Sequence, residues 1–254
     1  GKYGYLRTSV SHNEAGNYKD GDGNRIHSSF ERRNQMLQLG LTPTENTLLT
    51  GTYERSRGEA AYADRMMDGS KFDRDAWNVR FVQRNIAPWF TELELRYGQS
   101  KIDHVMDTYS LRYLRMMGNQ VKKAMNPKRE TDTGHLKATF DWSDINLQTG
   151  IDYMRDKHLA RMEMHGEGYT HKPYQPQQNF TQWGGFAEGA WTVNDSRKFI
   201  AGYRYDEVRA EYGTLMANHP NKKRTYDLHA GFFRWEEEIN GIKYYAGLGV
   251  AERA

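Results

Sequence analysis

Trp183-Gly184-Gly185-Phe186-Ala187-Glu188-Gly189-Ala190-Trp191-Thr192-Val193 is the stretch on which the fold turns. Its residues alternate strictly. Trp183, Gly185, Ala187, Gly189, Trp191 and Val193 share one face, and Gln182, Gly184, Phe186, Glu188 and Thr192 share the other. Successive side chains of a β-strand point to opposite faces, so this is a strand with one apolar and one polar surface. The same period runs through Phe199, Ala201, Tyr203 and Tyr205, through Trp89, Thr91, Leu93, Leu95 and Tyr97, and through Leu136, Ala138, Phe140 and Trp142. Tyr226, Leu228, Ala230 and Phe232 read as a further apolar face, as do Ile242, Tyr244, Ala246, Leu248 and Val250. Eleven strands are expected, at 2–13, 28–41, 48–57, 75–84, 89–106, 136–143, 147–156, 181–193, 198–211, 225–236 and 242–253.

The connections alternate between short turns and long polar loops, the latter at 14–27, 58–74, 107–135, 157–180 and 212–224. Short turns at one end and long loops at the other are the habit of an outer-membrane barrel. Trp183 and Trp191 are eight residues apart; tilted near 40°, that places them roughly 20 Å apart along the membrane normal, close to the height of a barrel's lipid band. Composition agrees. The 254 residues are only 37% hydrophobic yet 13% aromatic, with a mean hydropathy of -0.95, too polar for an ordinary core of this size. A soluble sandwich or jelly roll is the alternative. It fits poorly, because the strands exceed the usual 5–6 residues and no second apolar sheet completes a core. Absence of Cys excludes a disulfide scaffold and thiolate chemistry, and a net charge of +3 is too balanced for a nucleic-acid binder. The chain opens on Gly1–Arg7, which reads as strand rather than signal peptide, and stops as abruptly at Ala254. A single barrel domain cut from something larger is expected, one that needs detergent because its edges and apolar face are exposed.

Two motifs in the first long loop tempt and fail. His27-Ser28 with Asp20 and Asp22 lacks the G-x-S-x-G elbow of a serine hydrolase. Asp20-Gly21-Asp22-Gly23-Asn24 half matches a calcium loop, but the required glycine at position 6 is Arg25. No enzymatic activity is expected. Methionine is the informative residue. Nine of the 11 fall in or beside the long loops: Met66, Met67, Met106, Met116, Met117, Met125, Met162, Met164 and Met216. Thioether sulfur is a soft ligand suited to Cu(I), and imidazole binds copper in either oxidation state. Gap filling among loop side chains is the plainer role for Met. Strand phase favours one pair over that reading. Positions i and i+2 of a strand point the same way, so His104 and Met106 can close on one ion from the polar face, provided no bulge falls between 98 and 104. Met162, Met164 and His165 are a second candidate set, a capture station for incoming copper.

The segments Asn17–Asn24, His27–Phe30, Gly58–Gly69 and Asp103–Arg112 resemble the TonB-dependent copper receptors of Gram-negative outer membranes. His104-Val105-Met106 before Asp107-Thr108-Tyr109-Ser110-Leu111-Arg112 is the most specific of these. The resemblance implies a 22-stranded barrel around an N-terminal plug, coupled through a TonB box to the energised inner membrane. It also implies a copper site that joins a His-x-Met pair of the barrel, here His104 and Met106, to Cys and Met of a Cys-x-x-x-Met motif on the plug. This chain carries neither plug nor closing strands, so the resemblance makes it the middle of a barrel. Copper as transported ligand, the TonB system and outer-membrane lipid are the expected partners. A receptor for a siderophore, a passive porin and an outer-membrane lipase remain as other readings.

Overall fold

A computed structural model of the chain describes residues 1–112, 122–166, 168–213 and 222–253. Eleven strands follow one another in a single sheet: β1 (Gly4–Ala15), β2 (Phe30–Thr44), β3 (Thr47–Ala60), β4 (Asp68–Ala87), β5 (Phe90–Asp107), β6 (Ala124–Trp142), β7 (Ile145–Glu163), β8 (Gln175–Asn194), β9 (Arg197–Tyr212), β10 (Lys223–Ile239) and β11 (Ile242–Ala251). Each pairs antiparallel with its sequence neighbour, and β1 and β11 are the two edges of an open sheet. One short 3₁₀ turn, Tyr169–His171, is the sole helical element among the described residues.

The expected number and order of strands hold, and so do most faces. On the outward face, aromatic rings form two belts. One runs Trp89, Phe90, Phe140 and Trp142, with neighbouring rings 4.9–6.1 Å apart, and continues to Trp191, Phe199 and Phe233. The other runs Trp77, Tyr97, Tyr153 and Trp183, with Trp77 against Tyr97 at 5.3 Å and Tyr153 against Trp183 at 4.6 Å. Exposed Leu37, Leu39, Leu95 and Ile151 lie between or beside them. Aromatic rings at two levels with aliphatics between are what a lipid bilayer selects on a barrel's outer wall. The inner wall carries the charges. Glu94 is 2% exposed and held by Arg80 and Arg96, and Arg204 bridges Asp206 and Asp152 at 2.6 Å each.

Three expectations need correction. Several strands run well past the belts at the long-loop end: β4 starts at Asp68 rather than 75, β6 at Ala124 rather than 136, β7 reaches Glu163 rather than 156, and β8 starts at Gln175 rather than 181. There neither face meets lipid, and polar loops cover one of them, burying Asp68, Asp107, Asn126 and Glu163, so the ladder continues with no alternation in hydropathy to betray it. Secondly, Phe90 pairs with Phe140 and Glu92 with Thr139, leaving Thr91 as a bulge that flips the phase of β5 at its first residues. Phe90, not Thr91, therefore joins the outer belt. Thirdly, Tyr226, Leu228, Ala230 and Phe232 of β10 face inward, because Phe232 pairs with Gly202 and Ala230 with Arg204. Alternation reveals two faces without saying which is inside, and Phe232 is accommodated by lying against Gly202.

Ala187 lies midway between Trp183 and Trp191 on the outward face, paired with Thr149 and Tyr203. Ala187→Arg is expected to destabilise the full-length barrel protein in phospholipid vesicles by about 2–4 kcal/mol, the cost of a cation near the bilayer midplane. Glu188→Gln, one step along but on the inner wall, should change little. Urea-dependent refolding into vesicles measures both, and equal effects would contradict the assigned faces.

A candidate metal site on the inner wall

β5 carries the candidate pair, and its phase is unbroken there. From Leu93 to Asp107 its register with β6 stays constant, so no bulge falls between 98 and 104. Glu94, Arg96, Gly98, Ser100, Ile102, His104 and Met106 thus share the inner face. Tyr97 marks the nearer belt, and His104 lies seven residues further, about 23 Å along the strand at ~3.3 Å per residue. The pair therefore sits outside the lipid band, at the long-loop end, with its two residues about 7 Å apart along β5.

Cross-strand register adds what the sequence did not show. Met106 pairs with Met125 of β6, and Met125 pairs with Met162 of β7. Three methionines on adjacent strands thus stand in one row on one face, with about 4.8 Å between strands. On the other side Met106 pairs with Gly69 and His104 with Phe72, both of β4. The Phe72 ring lies 4.3 Å from the imidazole of His104, centroid to centroid. Phe30, Arg32, Phe72, Arg74, Ile102 and His104 help line an open cavity of about 700 Å³.

His104 is short of hydrogen bonds. Its Nε2 is completely covered and meets no partner among the described residues. Burial pushes the imidazole below its ordinary value, against an opposing upward pull from Asp103. Burial thus favours the neutral ring, and it is the unprotonated nitrogen of a neutral imidazole that binds a metal. Among the described residues no three His, Cys, Asp or Glu gather to hold a metal ion. The donors that this stretch of the inner wall offers near His104 are the thioethers of Met106 and Met125, which are soft.

The second candidate set is divided. Met162 joins the row, whereas Met164 and His165 lie beyond the end of β7, both exposed, with the His165 N–H donating to the Glu163 carboxylate. Met66 is exposed in the loop before β4, and Met116, Met117 and Met216 lie outside the described residues. Met125, placed in a loop by its sequence context, is a strand residue of the row. Finding it from sequence would have required the β5–β6 register, which a long loop between them conceals.

The loop motifs take structural roles. His27 Nε2 donates to Asp68 at 2.8 Å, while Ser28 Oγ donates to the Ile26 carbonyl at 3.1 Å, so no Ser–His pair forms. Asp20 accepts hydrogen bonds from Asp22 N, Asn24 N and Asn24 Nδ2, which closes a tight loop and holds its carboxyl below the usual range, the Asn24 side chain contributing most. At the start of β4, also outside the lipid band, Asp68 is fully buried.

A model of TonB-dependent receptor-like β-barrels matches residues 9–251. The chain belongs to this family. Its sheet is an incomplete stretch of such a barrel, in a family of outer-membrane receptors and transporters rather than enzymes. Among solved structures, the copper transporter OprC is 32% identical, with a TM-score of 0.87 over 98% of this chain and 40% of that one. The alcaligin receptor FauA of Bordetella pertussis is 15% identical, with a TM-score of 0.58 over 86% of this chain and 35% of that one. The ferric citrate transporter FecA is 9% identical, with a TM-score of 0.63 over 96% and 39%. The last two share the fold alone. The chain thus spans well under half the length of these receptors. No curated protein sequence matches it.

Proposed function

We propose that this chain is part of an outer-membrane receptor of a Gram-negative bacterium that takes up copper, with His104 and Met106 as its barrel ligands. The observation that carries this reading is their shared inner face at the long-loop end, with Met125 and Met162 in register beside them. Likeness to a copper transporter over nearly the whole chain supports it. Thioethers favour Cu(I) over Zn(II), so such a site escapes competition from more abundant divalent ions. Two protein donors leave an ion under-coordinated. Further ligands would come from a plug inside the barrel, which would also carry the connection to the TonB system. Met162 with the exposed Met164 and His165 would meet incoming copper first.

The test uses the complete receptor. Purified in detergent and offered Cu(I), Zn(II) and a ferric siderophore in separate samples, it is expected to retain copper in stoichiometric amount after desalting and neither of the others. Retention of the siderophore with no copper would overturn the reading in favour of another cargo. Retention of nothing would favour a passive pore.

A further inference from the structure

Phe72 reaches the candidate site through a bulge. Gly69 pairs with Met106 and Lys71 with Val105, so Ser70 is an extra residue in β4. In a regular strand residues three apart point to opposite faces. The bulge instead puts Gly69 and Phe72 together on the inner face, opposite Met106 and His104. Ser70 Oγ donates to Asp107 Oδ2 at 2.5 Å, and Asp107 is itself buried, which pins the bulge in place. The Phe72 ring then folds back over Gly69, where any Cβ would collide with it, and packs against His104 at a tilt of 33°. One side of the pair is thereby closed by an aromatic ring.

We propose that Phe72 sets the metal specificity of the site, as an apolar wall that keeps water from the β4 side of an ion held by His104 and Met106. The proposal rests on the copper reading above. A monovalent soft ion such as Cu(I) is content with few donors, whereas Ni(II) and Zn(II) need more ligands and take them from water when the protein offers too few. Stripping water also costs a divalent ion far more, because the Born penalty grows with the square of the charge. An apolar shell around a metal controls solvent access and local dielectric, so the ring acts on selectivity without touching the ion. Phe72 is in this sense a positioning and excluding residue, not a ligand. Gly69 is required because only a glycine leaves room for the ring.

Three variants of the complete receptor test this: Phe72→Ser, Phe72→Leu and Gly69→Ala. The readouts are the Cu(I)-over-Ni(II) ratio in competition, and X-ray absorption at the copper edge. Phe72→Ser is expected to lower that ratio by about tenfold or more, the range seen when a residue around a metal site is changed. It should also add oxygen scatterers to the copper spectrum. Phe72→Leu should keep most of the wild-type ratio, since it restores an apolar wall. Gly69→Ala, which expels the ring while keeping Phe72, should follow Phe72→Ser, and it carries the comparison if the serine variant does not fold. A merely structural role for the ring would lower bound copper without changing either the ratio or the spectrum. If wild type holds copper while Phe72→Ser and Gly69→Ala keep its ratio and spectrum, the wall is overturned and the copper reading stands. If wild type binds no copper, both fall.

Discussion

In the complete receptor, His104→Ala is expected to weaken copper retention by about a hundredfold or more, beyond the ten- to hundredfold typical of changing a residue that only supports a ligand. Met106→Ala should act similarly, because on the proposed copper reading each substitution removes one of the two donors that this wall would contribute. The row predicts an order for the rest. Met125 stands one strand from Met106, about 4.8 Å away, within reach of a flexible thioether that shares the same ion. Met162 stands about 10 Å from Met106, too far to bond an ion that His104 would hold. Met125→Ala should therefore give an intermediate loss, and Met162→Ala should leave copper at saturation unchanged. Copper per chain by mass spectrometry after desalting measures all four. Heat-modifiable gel mobility checks that each barrel is folded. Unchanged copper in both His104→Ala and Met106→Ala would reduce the pair to ordinary inner-wall residues.

The reach of the sequence follows from where lipid lies. Between the belts, one face meets hydrocarbon and the other meets water, so alternation is written plainly in segments such as Trp183–Val193. Above the belts neither face meets lipid, and one is covered by polar loops over Asp68, Asp107, Asn126 and Glu163. There Asp68–Arg74 and Ala124–Gly134 continue the ladder with charges on either side, and no periodicity marks them as strand. Phase within one strand was legible too, since His104 and Met106 share a face by spacing alone. What joins strands was not. The Met106–Met125–Met162 row depends on hairpin register, and register depends on loop lengths and on single extra residues. The bulge that matters for β5 falls at Thr91, far from the site, and the one that shapes the site falls at Ser70 on the neighbouring strand. No composition or spacing distinguishes Ser70 from any other strand serine. The inward apolar run of β10 makes the same point, because its direction is fixed by pairing with β9 and not by its own residues.

Removing the Asp68 carboxylate should release the loops at the mouth of the site while leaving the spanning strands intact. Asp68 accepts hydrogen bonds from His27 Nε2 at 2.8 Å, Arg112 Nε at 2.8 Å, Arg112 Nη2 at 2.6 Å and the Tyr62 N–H at 2.9 Å. Arg112 donates further to the Tyr62 and Arg65 carbonyls, so residues 16–29, 61–67 and 108–112 converge on one buried anion beside Gly69. Asp68→Ala leaves a partly buried guanidinium without its partner, a loss of about 3–5 kcal/mol when a buried pair is broken from one side. That loss is local, because the strands below are stabilised by their own ladder and by lipid. Limited proteolysis should then cut within 61–67 and 108–112 far faster than in wild type, at an unchanged denaturant midpoint for the barrel. Acid should mimic the variant only at extreme pH. Burial raises the Asp68 carboxyl, but the bonds from Arg112 and His27 outweigh it and bring the value from 3.8 to about 2. A depressed folded-state value means the stabilisation is complete above the unfolded value near 3.8 and disappears as pH falls through about 2. Protection of both segments should therefore persist from neutral pH to about 4 and be lost between there and about 2. Asp68→Asn keeps an acceptor without the charge, so it should fall between wild type and Asp68→Ala. Identical cleavage in all three chains would show that these loops are held by something other than this anion.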